Sequence, residues 1–154
     1  AITLSTRMCE IIKEDVVISG KVKALYESEN KYAYIDSDLI RTLKPGEEKF
    51  LTHLMNFVET IWHKSDFNIT TFSKALGYSK SQMYRKLMNL TGKSPNTFIR
   101  DYRLNKALKL LHDQKGNISE IAFETGFNSL AYFSKCFKNK FDILPSKYIQ
   151  QHIY

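Results

Sequence analysis

The feature that most constrains this chain is that its second half repeats itself. Ile69, Phe72, Ser73, Gly77 and Tyr78 match Ile118, Ile121, Ala122, Gly126 and Phe127 at an offset of 49 residues. Beyond the turn, Ser79, Met83, Leu87 and Pro95 match Ser129, Phe133, Phe137 and Pro145 at an offset of 50, so one extra residue sits near Asn128. Both glycines and both prolines keep their places, which specifies one supersecondary unit used twice.

Each copy reads as a helix, a glycine-containing turn and a capped helix. Residues 70–76 form the first helix, closed by Gly77, which tolerates positive φ. Ser79 is placed to cap a second helix that buries Met83 and Leu87, runs to Leu90 and stops before Gly92. The counterparts are residues 118–125 and 129–140, followed by 145–151. Between the copies, Pro95 opens a long helix over residues 96–111, with Leu104, Ala107, Leu108 and Leu111 on one face. Ahead of both, Phe50, Leu51, Leu54, Phe57, Val58, Ile61 and Trp62 recur at helical spacing, with Glu47 and Glu48 in the dipole-favoured first turn. Phe57 and Trp62 read as core. Period-two alternation is absent here, so the expected fold class is all-α: two helix-turn-helix subdomains joined by a long linker helix.

The break at Lys44-Pro45-Gly46 divides the chain into residues 1–46 and 47–154. In the first segment Met8, Ile11 and Ile12 suit one helix face and Val22 and Leu25 another, with residues 15–20 interrupting them. Tyr32-Ala-Tyr34-Ile35 fits strand or loop equally. This segment reads as a linker containing some helix. It holds seven basic and seven acidic residues, whereas 47–154 holds sixteen basic against nine acidic and carries the whole net charge of +7. Between residues 74 and 109, nine Lys/Arg face the single acid Asp101. Such a run is either a solvated face or a footprint for an anionic polymer.

Several function classes fall away. His53, His63, His112 and His152 show no metal-ligand spacing, and the chain has no nucleophile elbow, Walker loop or dinucleotide fingerprint. Asp36 and Asp38 read as surface. No enzyme activity and no cofactor are expected. No apolar run approaches the ~20 residues that span a bilayer, and the start resembles no signal peptide. Cys9 and Cys136 cannot build a disulfide scaffold, so a cytoplasmic setting is expected. With no initiator Met, the chain is expected to be a piece of a longer protein.

A helix-turn-helix unit docks on double-stranded DNA by laying its second helix in the major groove. With Met83 and Leu87 inward, Lys80, Ser81, Tyr84 and Arg85 face outward. Arg85 suits a bidentate contact to guanine or a phosphate clamp. Tyr84 suits a thymine methyl or a phosphate. In the second copy Phe133 and Phe137 point inward, leaving Leu130, Ala131, Ser134 and Lys135 outward. Leu130 and Ala131 fit thymine methyls, and Lys135 fits a phosphate as readily as a base, which makes this copy the poorer reader. The linker helix, roughly 24 Å at ~1.5 Å per residue, suits two recognition helices ~34 Å apart, one DNA turn. Arg100, Arg103, Lys106 and Lys109 on it meet either phosphates or solvent.

The segments Arg85-Lys-Leu-Met-Asn-Leu-Thr-Gly-Lys-Ser-Pro95 and Phe98-Ile-Arg-Asp-Tyr-Arg-Leu104, with Ala107 and Leu110-Leu111, resemble the AraC/XylS transcription regulators. So do Ile118-Ser-Glu-Ile-Ala122, Gly126-Phe127, Tyr132-Phe-Ser134, Phe137-Lys138 and Pro145-Ser-Lys-Tyr148. The resemblance covers about residues 66–150. It implies a seven-helix DNA-binding domain whose first helix is the stripe from Phe50 to Trp62. It also implies base contacts at Ser81, Tyr84, Arg85, Leu130, Ala131, Ser134 and Lys135. Ser73 replaces the family's usual small Ala, and Leu130 is less polar than in many relatives. The wording from Ser81 to Pro95 resembles regulators fused behind receiver domains in hybrid two-component proteins, and Lys21-Val-Lys-Ala-Leu25 resembles the end of a receiver's last helix. The implied partners are DNA, an upstream signalling domain and, as a further candidate, RNA polymerase; no membrane contact is expected from this segment. The rival reading is a basic helical adaptor for an acidic protein. DNA affinity that falls with salt and differs between sequences separates the two.

Overall fold

The structure, a computed structural model, describes residues 17–29 and 41–152. A short parallel pair comes first: β1 (Val17–Ser19), α1 (Gly20–Glu29) and β2 (Arg41–Leu43). Seven helices follow: α2 (Pro45–Ile61), α3 (Ile69–Ala75), α4 (Lys80–Thr91), α5 (Pro95–His112), α6 (Ile118–Glu124), α7 (Leu130–Phe141) and α8 (Pro145–His152). Among the described residues the fold is all-α apart from the two three-residue strands, and each helix lies within a residue or two of its expected place beyond α2, which begins at Pro45.

The repeat is visible atom by atom. Asn68 and Asn117 cap α3 and α6, and Ser79 and Ser129 cap α4 and α7, in each case with a side-chain oxygen accepting from a first-turn N–H. At the turns, Gly77 N donates to Lys74 O and Tyr78 N to Ser73 O; Gly126 N and Phe127 N repeat this on Phe123 O and Ala122 O, at 2.9–3.0 Å throughout. Gly77 and Gly126 have φ of 76° and 85°, the left-handed geometry that closes a helix in few residues.

Burial divides into two cores. Leu43, five residues of α2, Phe72, Met83, Leu87 and Leu90 form the first, with Phe98 and Ile99 from the start of α5. Leu104, Ala107 and Leu111 from the rest of α5 join Ile121, Ala122, Phe127, Phe133, Cys136 and Phe137 in the second. One helix therefore serves both subdomains, its first third facing one core and the remainder the other. Phe57, Ile61 and Trp62 pack on the first core while only partly buried.

The N-terminal extension holds more than the expected linker with some helix. Val17, Ile18 and Ser19 pair in parallel with Arg41, Thr42 and Leu43, within the stretch that the sequence marked only as an interruption. Glu48 of α2 accepts from Gly20 N at 2.9 Å, holding the start of α1. Arg41 donates to Asn89 O and pairs with Glu47, both at 3.3 Å. Val22 and Leu25 do lie in one helix, α1, but are 53% and 60% exposed. The readings at Met8, Cys9, Ile11, Ile12, Tyr32 to Ile35, Asp36 and Asp38 fall outside the described residues.

Candidate nucleic-acid interface

The orientation of α4 is set by its cap and its two anchors. Ser79 Oγ accepts from Gln82 N while Gln82 Oε1 accepts from Ser79 N, a reciprocal capping box. Met83 and Leu87 are fully buried. With start and inner face fixed, Lys80, Ser81, Tyr84 and Arg85 are all exposed, Tyr84 at 50%. They line a cleft of about 470 Å³ closed on its far side by Ile69 and by Ser94, Pro95 and Asn96 at the start of α5. Lys86, one step further round, is turned back: its ammonium lies over the Phe50 and Tyr78 rings at 5.4 and 5.3 Å.

In α7, Phe133 and Phe137 are fully buried and Ser129 caps Tyr132 N at 3.2 Å. Leu130, Ala131 and Lys135 are exposed, Leu130 at 39%, while Ser134 is half-buried. Tyr132 stands at the position of Gln82, so this cap has no reciprocal partner; its ring leans on Phe127 at 6.2 Å and remains largely exposed. On its outward face α7 thus presents Lys135 as its cation and less hydrogen-bonding capacity than α4 does. The eight outward residues form two groups, one on each copy, rather than one pocket.

A second cleft of about 380 Å³ lies between the copies. Asn96, Arg100 and Arg103 of α5 line it opposite Asn128, Ser129 and Tyr132. Asn96 lines both clefts, so the surface runs from α4 across the start of α5 to the head of α7. Asn96, Asn128 and Tyr132 did not emerge as site residues from the sequence. Asn128 left a trace there as the extra residue between the copies, and Tyr132 as part of the segment Tyr132-Phe-Ser134.

The linker cations divide in a way that sequence could not reveal. Arg103 Nε donates to Trp62 O at 2.8 Å and its Nη2 donates to Lys64 O. Burial pushes this guanidinium below its ordinary range, with Asp66 opposing the shift. Lys106 pairs with Glu59 at 3.2 Å and lies over the Trp62 and Tyr102 rings. Tyr102 OH also donates to Glu59. Arg103 and Lys106 are therefore committed to the end of α2, while Lys109 is exposed and Arg100 lines the cleft between the copies. Asp101 takes Lys93 at 2.8 Å and Lys140 at 3.6 Å, with Arg100 Nε 4.0 Å away. Burial pulls the Lys140 ammonium below its ordinary value; Asp101 acts against that shift and Lys93 with it. Among the described residues no cluster of three or more His, Cys, Asp or Glu is arranged to hold a metal, and no helix is long and apolar enough to cross a membrane.

A family model described as a helix-turn-helix domain matches residues 72–151. Histidine kinase P4 of Formosa agariphila is 38% identical over 107 residues, covering 70% of this chain and 8% of that protein. The HTH-type transcriptional regulator MtrA of Neisseria gonorrhoeae is 31% identical over 120 residues, covering 75% of this chain and 40% of the regulator. The chain thus spans less than half of either relative. Among solved structures, an AraC-type transcriptional regulator from Chromobacterium violaceum superposes with a TM-score of 0.63 at 25% identity, covering 71% of this chain and 96% of that one. The C-terminal domain of the two-component response regulator yesN from Fusobacterium nucleatum gives 0.58 at 26% identity, covering 62% and 93%.

Proposed function

The chain belongs to the AraC-type helix-turn-helix family of DNA-binding transcription regulators, and from that premise we propose that it reads two successive major grooves with α4 and α7. The observation that carries this reading is the pair of outward groups on equivalent, separately capped helices. Both helices pack against one 18-residue helix, α5, roughly 27 Å long at ~1.5 Å per residue. Lys80, Ser81, Tyr84 and Arg85 contact bases and phosphates in one groove. Leu130, Ala131, Ser134 and Lys135 face the next. Phosphate contacts fix register, whereas base-edge contacts carry sequence information. Sequence preference is accordingly strong under α4 and looser, leaning to thymine, under α7. Arg100 and Asn96, in the surface between the two, meet the intervening backbone.

Residues 47–154 form the DNA-binding unit on this reading, and 1–46 a linker or the end of an upstream signalling domain. The small fraction of the histidine kinase that the chain covers supports its place as the output part of a larger cytoplasmic signalling protein. That upstream domain and RNA polymerase are its further partners. Selecting bound duplexes from a randomised pool tests the reading. The expected product is a two-part site with parts about 10 base pairs apart, bound more weakly as salt rises. Failure to enrich any sequence, together with retention of an acidic protein, would favour the adaptor instead.

A further inference from the structure

The two cores are separate, and among the described residues α5 alone contributes buried side chains to both. A shared helix holds two subdomains at a distance but resists twisting and bending between them only as far as side chains brace it. The braces here are polar. Asp101, whose side chain is 17% exposed, sits on α5 between Lys93, in the loop leaving α4, and Lys140, near the end of α7. One carboxylate thus ties the loop behind the first recognition helix to the second recognition helix itself. Across the helix, Arg103 binds carbonyls at the end of α2, and the Gly126 turn lies against that contact: a Cβ on Gly126 would stand 2.9 Å from Arg103 Nε and from Trp62 O.

We propose that the Lys93–Asp101–Lys140 bridge is a positioning device that fixes the angle between the two recognition helices, and that through it this domain discriminates the spacing between the two parts of its DNA site. The inference rests on the two-groove reading. Asp101 has no role on DNA itself: it is an anion in a basic surface, occupied by two cations. Each inserted base pair moves the second part by 3.4 Å and turns it by about a tenth of a revolution. A braced pair of heads cannot follow that turn, and the second head then contributes nothing. A loosened pair follows it at the expense of some affinity at the native spacing.

The test uses the full chain and the duplex selected from the randomised pool, with zero to five base pairs inserted between its parts. For the unaltered protein, insertion of two or more pairs is expected to lower affinity toward that of a single part, about a hundredfold. In Asp101→Asn the native-spacing affinity falls and the insertion profile flattens, while binding to a duplex carrying only the first part stays unchanged. Asp101→Glu restores the profile. Lys140→Met flattens it as well, which guards against a folding defect peculiar to residue 101. Without DNA, ¹⁵N relaxation is expected to give one tumbling time for residues 45–92 and 118–152 in the unaltered chain and two in Asp101→Asn. A steep profile retained in both folded variants, with a single tumbling time, overturns the proposal and leaves two-groove reading intact. A profile that is flat for the unaltered protein, with affinity equal to that of one part, overturns the two-groove reading and this inference with it.

Discussion

Gly77 and Gly126 occupy the same place in the two copies, yet alanine should cost very different amounts at each. Both have positive φ, 76° and 85°, so alanine at either carries about 1–2 kcal/mol of left-handed strain. About 0.4–1 kcal/mol is returned because the unfolded chain loses freedom. At Gly77 nothing lies within 4 Å of the new Cβ, and the account ends there. At Gly126 the Cβ meets Trp62 O and Arg103 Nε at 2.9 Å and Arg103 Cζ at 3.0 Å. One of these is backbone, so the guanidinium must move, and its 2.8 Å bond to Trp62 O is lost. A hydrogen bond from a charged donor contributes about 1.5–3 kcal/mol. Gly77→Ala should therefore lower the unfolding free energy by about 1 kcal/mol and Gly126→Ala by about 3 kcal/mol. Urea denaturation followed by circular dichroism measures both. Trp62 is the only tryptophan in the chain, so its fluorescence should change in folded Gly126→Ala and not in Gly77→Ala. Equal losses at the two glycines, with unchanged Trp62 emission, would refute the reasoning.

Arg85→Ala should weaken binding to the selected duplex by about 1–3 kcal/mol and relax preference at one base position under α4, as measured by anisotropy over a panel of substituted duplexes. Lys135→Ala should lower affinity almost evenly across sequences and reduce the salt slope by about one; a change in base preference instead would assign Lys135 to a base. Burial holds Lys140 below the ordinary ammonium value of 10.5, so just under that pH the unfolded chain binds more protons than the folded one. Stability from this group consequently rises with pH through that window, and a difference titration against Lys140→Met should show the rise.

The repeat, the caps and the inward residues were legible in the sequence because they are local. Asn68, Ser79, Asn117 and Ser129 each bond within three residues, and Met83 and Leu87 or Phe133 and Phe137 announce themselves by spacing. What escaped was tertiary. Three-residue strands such as Val17–Ser19 are too short to display alternation, and a parallel partner 24 positions away leaves no local mark. Arg103 and Arg100 look alike as exposed cations on one helix; only the approach of the Trp62 and Lys64 carbonyls separates them. Asp101 stood out by charge as the sole acid in a basic run, but its two lysine partners lie in different subdomains. Ser134 was placed outward by periodicity, and packing leaves it half covered.

The parallel register of β1 on β2 also sets a direction of travel. Two strands running the same way begin at the same end, and Val17 lies opposite Arg41. Arg41 in turn grips Asn89 O, in the last turn of α4. Val17 therefore lies at the foot of α4, the end away from Lys80 and Ser81. The β1–β2 pair thus meets α4 from behind, through Arg41, and leaves the face of Lys80, Ser81, Tyr84 and Arg85 uncovered.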